Sequence, residues 1–113
     1  MRERQIVIVG RGRMVFLKVR ALVYVETVDH GALLCCRNEK YPVRRSLEEI
    51  EKSLKGLDFI RVHRSFLISV DHIREIHEDY IVMEGLSKIE IPIGPAYKAR
   101  LMEEIKKRQY IFL

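Results

Sequence analysis

A polar triplet interrupts an apolar stretch near the middle of the chain, and its residue types suit contact with nucleic acid. His63, Arg64 and Ser65 stand between the apolar runs at positions 59–60 and 66–68. Three consecutive polar side chains of this kind are out of place in a buried strand. Arginine can bond guanine or phosphate, and histidine and serine can bond base edges or phosphate oxygens. The residues alone therefore predict a candidate binding loop, which its apolar flanks would fix to a rigid core.

The other reactive side chains of the sequence do not favour an enzyme. Ser65 and His63 have the residue types of a nucleophile and its base, but no G-x-S-x-G turn or glycine-rich oxyanion loop surrounds them. The histidines and cysteines at positions 30, 35, 36, 63, 72 and 77 match no C-x-x-C or H-E-x-x-H spacing. A glycine loop for phosphate is also missing. We therefore expect no catalytic residues, no metal site and no cofactor.

Length and composition predict one small domain in a reducing compartment. The 113 residues are enough for one core but not for two. The apolar runs are too short to span a membrane, and the N-terminal sequence MRERQ does not resemble a signal peptide, so we expect a cytoplasmic protein without membrane contact. Cys35 and Cys36 are neighbours in a predicted strand and would point to opposite faces, which favours free thiols over a disulfide.

The net charge of +5 is concentrated in the first part of the chain. Residues 1–20 contain six basic residues, Arg2 among them, and one acid, whereas residues 21–113 contain fifteen of each kind. A basic chain is compatible with nucleic acid, but many basic domains bind none. The prediction of DNA binding therefore depends on local residues and not on the overall charge.

The hydrophobic pattern predicts a mostly β domain with one or two short helices. Alternation with a period of two favours strands over residues 5–9, 14–19, 22–26, 32–36 and 41–44, separated by turns. Ser46 and Glu49 have the spacing of a capping box, and Gly56 stands where that helix should end. Residues 80–83 and 88–93 indicate a hairpin. Pro95 is typical of the start of a second helix, whose apolar face would comprise Tyr97, Leu101 and Ile105.

Four blocks of the sequence resemble the LytTR-type DNA-binding domains of bacterial transcriptional regulators. RVHRSFLISVDHIREI at residues 61–76 is similar to the central signature of that family. ALVYVE at 21–26 resembles its strand ending in glutamate, and YPVRRSLEEI at 41–50 resembles its strand-to-helix junction. IEIPI at 89–93, with Tyr97 and Lys98, resembles its last strand and closing segment. The resemblance covers about residues 5–108, and it implies a single domain over 1–113 built as an elongated stack of antiparallel β-sheets.

The resemblance also implies that loops contact DNA, and two of them are well represented here. The first comprises residues 29–31, where the family commonly has a base-contacting residue and this chain has His30. By itself, a histidine in a turn is more often simply solvated. In the second loop, Arg64 is expected to contact guanine, with His63 also facing base edges and Ser65 holding phosphate. The alternative is that Arg64 is a surface residue and His63 a structural strut.

The third loop implied by the resemblance departs from the family pattern. The family usually has a basic run after the last strand, whereas residues 94–96 of this chain read Gly-Pro-Ala. Lys98 and Arg100 follow and are candidates for contact with the DNA backbone, although a solvated helix face explains them equally well. Loss of the third contact would relax specificity there or indicate a different recognition site.

Two further arginines lie at the junction between the fifth strand and the first helix. Arg44 and Arg45 precede the capping residue Ser46 and are candidates for phosphate contacts. Pairing with Glu48 or Glu49 would explain them equally well. These two arginines therefore have only a modest claim to a place in the interface.

The resulting hypothesis is a transcriptional regulator that reads the major groove of duplex DNA with loops, as two copies on a repeat. Because the chain begins about five residues before its first strand, no attached receiver domain is expected, and control would come from expression level, a partner protein or a ligand. The alternative is a LytTR-like protein-interaction module without direct sequence readout, which should respond little to salt. RNA binding is less favoured, because no aromatic pair suited to base stacking is evident.

Overall fold

The computed structural model describes residues 3–113, so Arg2 of the basic N-terminal segment lies outside the described residues. The described chain forms three antiparallel sheets and two α-helices. The two-stranded sheet comprises β1 (Gln5–Gly10) and β2 (Arg13–Lys18). The five-stranded sheet has the order β5-β4-β3-β7-β6 and comprises β3 (Leu22–Val28), β4 (Gly31–Cys36), β5 (Lys40–Val43), β6 (Phe59–His63) and β7 (Phe66–Ser69). The three-stranded sheet comprises β8 (Ile73–Ile76), β9 (Tyr80–Met83) and β10 (Ile89–Pro92), and the helices are α1 (Leu47–Ser53) and α2 (Lys98–Lys106).

The five-stranded sheet is the middle layer, and it is buried on both faces, so the described chain has two hydrophobic cores and not the one core that its length predicted. In β7, Leu67 contributes to a core shared with α1 and the β1–β2 hairpin, whereas the next residue, Ile68, faces a core shared with β9, β10 and α2. Successive side chains of a strand point to opposite faces, so a sheet covered on both sides needs nearly continuous apolar strands. This arrangement explains the unbroken apolar runs at residues 22–25 and 66–68. The stack measures 49 × 36 × 28 Å, so the prediction of an elongated, mostly β domain is confirmed.

The first helix begins at the predicted capping box. The Ser46 hydroxyl accepts a hydrogen bond from the Glu49 amide at 3.1 Å, and the Glu49 carboxylate accepts one from the Ser46 amide at 3.1 Å. These hydrogen bonds hold the pKa of Glu49 below its usual value. The helix ends at Ser53, three residues before the predicted cap Gly56, which adopts a left-handed φ of 83° in the following turn. The second helix follows a 3-10 turn at Pro95–Tyr97 and buries Leu101 and Ile105.

Several turns are tighter than the sequence pattern predicts. Since β3 extends to Val28 and β4 begins at Gly31, the first predicted DNA-facing loop is reduced to two residues. His63 is the last residue of β6 and not a loop residue, which leaves Arg64 and Ser65 as the turn. The strands are therefore longer than predicted, and each of these two turns keeps only two residues. Cys35 and Cys36 are both free thiols. In residues 3–113, every helix is too short and too polar to cross a lipid bilayer.

Candidate nucleic-acid interface

The turn between β6 and β7 presents Arg64 on a rigid support. The strand pairing is irregular between Arg61 and His63, where the two strands approach the turn. The Ser65 amide donates a hydrogen bond to Nδ1 of His63 at 3.0 Å, and the His63 ring packs edge-on against Phe66 with ring centroids 5.6 Å apart. His63 therefore stabilises the turn through Nδ1 and through the contact of its ring with Phe66, and its Nε2 is the ring nitrogen left to meet a ligand.

A partly buried arginine, Arg61, also holds this turn. The Arg61 side chain is only 13% exposed, and its Nε donates to the carbonyl of His63 at 2.9 Å. Its Nη2 donates to the carbonyl of Arg64, and its Nη1 pairs with the Glu51 carboxylate of α1 at 3.2 Å. The planar guanidinium can satisfy three such acceptors at once. The sequence analysis assigned no role to Arg61. The one feature of the sequence that could have indicated its role is that an arginine stands in a strand between two apolar residues, Ile60 and Val62.

The first turn lies beside the second because β3 and β7 are paired. The Thr27 amide donates to the Ser65 carbonyl at 2.9 Å, one hydrogen bond beyond the β3–β7 ladder. His30 is exposed at the tip of the β3–β4 turn and adopts a φ of 63°, a left-handed conformation that is uncommon for residues other than glycine, although histidine adopts it more readily than most. At the next position, a Cβ on Gly31 would lie 2.1 Å from the Val43 carbonyl oxygen, so only glycine fits there.

Four of the predicted DNA-contacting residues surround one depression. The depression has a volume of about 500 Å³ and is lined by His30, Arg44, Arg45 and Arg64. Glu48 is the acidic residue that also lines it. Within residues 3–113, Arg44 and Arg64 form no salt bridge, whereas Arg45 pairs with Glu49 at 3.4 Å. That pair is exposed, and exposed pairs contribute little stability, so Arg45 can exchange its partner at small cost. The depression is therefore positively charged and suited to phosphate and base edges.

The remaining candidates lie apart from this depression. The segment after β10 packs against the other side of the β6 end, where the Gly94 amide donates to the Val62 carbonyl at 2.8 Å. Lys98 contacts the Glu78 carbonyl and pairs with the Glu78 carboxylate at 3.3 Å, while Arg100 is exposed on α2. Neither side chain lines the depression. Within the described part of the chain, no group of three or more histidine, cysteine, aspartate or glutamate residues is arranged to hold a metal ion.

The chain was compared with known families, curated proteins and solved structures. The sequence model of the LytTr DNA-binding domain family matches residues 12–106 of this chain. The sensory transduction protein LytT of Bacillus subtilis is 32% identical over 103 residues, a match that covers 87% of this chain and 40% of that protein. The transcriptional regulatory protein LytR of Staphylococcus aureus is 32% identical over 84 residues, covering 72% of this chain and 34% of LytR. The chain thus spans about 40% or less of the length of these relatives.

A solved structure shares the fold at low sequence identity. It is the LytTr DNA-binding domain of a putative methyl-accepting/DNA response regulator from Bacillus cereus, with a TM-score of 0.75 and 19% identity. The match covers 93% of this chain and 98% of that domain. At this identity the likeness establishes the three-sheet architecture, and the sequence comparisons establish the family.

Proposed function

This chain belongs to the LytTr DNA-binding domain family, and we propose that it reads the sequence of duplex DNA through its His30 and Arg64 turns. The observation that carries the proposal is that His30, Arg44, Arg45 and Arg64 line one positively charged depression. At this depression, Arg64 contacts guanine O6 and N7 in the major groove, and His30 contacts the edge of a neighbouring base. His63 lies beside Arg64, and its Nε2 faces a base edge as well. Arg44, Arg45 and Ser65 bind phosphates and set the register of the protein on the duplex.

The proposal also covers the biological setting of this binding. The domain acts in the cytoplasm as part of a transcriptional regulator, and two copies bind a direct or imperfect repeat, with their turns in successive major grooves. Lys98 and Arg100 are secondary backbone contacts, because they lie outside the depression and Lys98 is already paired with Glu78. A regulatory partner protein or ligand controls the output, and the domain itself catalyses no reaction.

The experiment that tests the proposal is selection of binding sites from a pool of random duplex DNA at near-physiological salt. The expected result is an enriched motif, repeated at a spacing of about 10 base pairs, which is one turn of the double helix. Arg64→Ala should lose preference at one base position, worth ~1–3 kcal/mol of discrimination. Arg74→Ala is the matched control, since Arg74 is also exposed but lies on β8 outside the depression. If no motif is enriched, or Arg64→Ala keeps the full preference, the proposed readout is wrong.

Salt dependence separates the backbone contacts from the base contacts. Replacement of Arg44 by alanine should weaken binding to all sequences alike and reduce the slope of log affinity against log salt by about one, because one phosphate contact is lost. The same substitution at Lys98 tests the secondary contact on α2. An unchanged slope for Lys98→Ala would show that Lys98 does not contact the DNA backbone. If the affinity of the parent chain for DNA does not change with salt, the result would favour a protein-interaction module.

A further inference from the structure

A second and larger concavity lies between β1, β5 and α1. Its volume is about 1070 Å³, and its apolar walls include Ile8, Val15, Leu34 and Ile50. Ligand pockets that hold a small molecule typically measure ~300–1000 Å³, so this groove has room for a segment of several residues. We call it the β1 groove. It is separate from the depression that contains His30 and Arg64, although both depressions share Arg44 and Arg45.

One wall of the β1 groove is an open strand edge. The β1–β2 sheet has only two strands, so β1 is paired along one edge, and the residues 6–10 that line the groove belong to this strand. The strand reads QIVIVG, without a charged residue or a proline. Natural edge strands usually carry lysine, proline or a bulge that prevents pairing with another chain. The edge of β1 that is not paired with β2 has no lysine, proline or bulge to prevent pairing. The backbone amides and carbonyls along that edge are therefore available to a further strand.

The opposite wall cannot provide the same pairing. It is formed by β5, which is also an edge strand of its sheet, but β5 contains Pro42. Proline has no amide hydrogen and therefore interrupts a ladder of hydrogen bonds. An extended chain in the groove would accordingly form backbone hydrogen bonds with β1 along one of its edges. Its second edge would face β5 without a continuous ladder of hydrogen bonds.

The charge around the groove indicates which side chains such a strand should carry. Arg11, Arg13, Arg44 and Arg45 all line it, whereas Glu49 is the one acidic residue among the described residues that do so. The Glu49 carboxylate is already bonded to the Ser46 amide and to Arg45. The groove therefore combines an apolar floor with an excess of positive charge, and favours an occupant with apolar residues on one face and acidic residues on the other.

We propose that the β1 groove binds an extended segment of a partner protein with alternating apolar and acidic residues, which adds to the β1–β2 hairpin as a third strand. Backbone hydrogen bonds to β1 provide affinity. The alternate side chains provide specificity, because one set packs on the apolar floor and the other pairs with the arginines.

Occupation of the groove should also weaken DNA binding, a step that rests on the function proposed above. Arg44 and Arg45 line both depressions, so carboxylates of a bound strand compete with DNA phosphates for the same two guanidinium groups. The partner segment would thereby act as an inhibitor of the DNA-binding surface without covering His30 or Arg64.

The test uses a fluorescent, end-blocked heptapeptide of alternating valine and glutamate, titrated against the full chain in the absence of DNA. The expected result is saturable binding together with slower hydrogen exchange of amides in residues 6–10. A peptide of alternating valine and lysine, and a valine–glutamate peptide with a central proline, should each bind roughly tenfold more weakly or worse. The protein variant Arg11→Glu/Arg13→Glu should also weaken binding by roughly tenfold, while Arg74→Glu leaves it unchanged. Both altered arginines are exposed, and circular dichroism verifies that the variants are folded.

Two results would overturn the proposal. The valine–glutamate peptide could fail to bind at millimolar concentration, or it could bind without protecting β1. Binding of dodecanoate in the groove, with no binding of the peptide, would instead identify a site for small amphiphilic anions. Competition with the selected DNA is measured last: a bound peptide that protects β1 but leaves DNA affinity unchanged refutes the inhibitory step alone. Failure of the parent chain to select any DNA refutes the proposed function and leaves the peptide result standing.

Discussion

Replacement of Arg61 by alanine should loosen the β6–β7 turn and destabilise the domain. The side chain makes two hydrogen bonds to turn carbonyls and one ion pair with Glu51. Hydrogen bonds that involve a charged group contribute ~1.5–3 kcal/mol each. The turn carbonyls can regain water once the side chain is removed, and the Glu51 side chain is 31% exposed, so the ion pair is partly screened. We therefore expect a loss of ~2–3 kcal/mol in the free energy of unfolding, well below the sum of the contacts.

Lysine at the same position separates charge from geometry. Arg61→Lys keeps the positive charge beside Glu51, but its three donors sit on one nitrogen and lack the planar fork with which the guanidinium bonds the carbonyls of His63 and Arg64 through separate nitrogens. The expected loss is ~1–2 kcal/mol, between the parent and the alanine variant. The control is Arg74→Ala, an exposed change that should cost less than ~0.5 kcal/mol. Urea unfolding followed by circular dichroism measures all three, and an unchanged m-value verifies that the folded state is comparable.

A local measurement distinguishes support of the turn from general stabilisation. The Ser65 amide, which donates to His63, should exchange its hydrogen faster in Arg61→Ala by more than the global loss of stability explains. Under the proposed function, site selection with the same variant should show a weaker preference at the base position assigned to Arg64. If Arg61→Ala costs less than ~0.5 kcal/mol and the exchange of the Ser65 amide is unchanged, then Arg61 does not hold the turn.

Three further predictions follow from backbone conformation and burial. His30→Gly should raise the free energy of unfolding by ~0.5–1 kcal/mol, because glycine adopts the left-handed φ of 63° without strain, and a lower melting temperature would contradict this. Gly31→Ala should cost more than ~3 kcal/mol, since its Cβ would lie 2.1 Å from the Val43 carbonyl oxygen, and a urea midpoint near that of the parent would refute the close approach. Burial raises the pKa of the Cys36 thiol to about 11. At pH 8 its thiolate fraction is then roughly 1 in 1000, against about 1 in 4 for a free cysteine, so alkylation by iodoacetamide should be at least ~100-fold slower in the folded protein than in urea and should accelerate as pH rises toward 10.

The elements that the sequence predicted correctly are those specified by short-range patterns. The capping box of α1 depends on Ser46 and Glu49, three residues apart, and both hydrogen bonds are present. Strands β1 to β5 follow from alternation and from turn residues, which also act over a few positions. The second helix was also predicted, from apolar residues at a spacing of four, but it begins at Lys98 and not at Pro95, because residues 95–97 form a 3-10 turn first. Here local preference and tertiary packing agree, so the local signal was sufficient.

The arrangement of the candidate interface depends on contacts between distant residues, and the sequence could not predict it. The two turns with His30 and Arg64 are neighbours because β3 pairs with β7, a pairing of residues about forty positions apart. The role of Arg61 depends on Glu51, which α1 brings to β6 from ten residues away. Such pairings follow from the register of whole strands. The resemblance to a family suggested which side chains matter, but the depression that they share became visible only in three dimensions.

The segment at residues 94–96 shows how packing can explain a departure from a family pattern. A Cβ on Gly94 would lie 3.0 Å from Cδ2 of Tyr97 and 3.6 Å from Cα of His63, so a long basic side chain could enter position 94 only if Tyr97 moved. The Gly94 amide also holds the Val62 carbonyl at the end of β6. This segment therefore supports the strand that presents Arg64, on the side opposite to Arg61 and Glu51. Under the proposed function, the charge that reads bases is concentrated in the His30 and Arg64 turns, and the Gly-Pro-Ala segment contributes to recognition by fixing the end of β6.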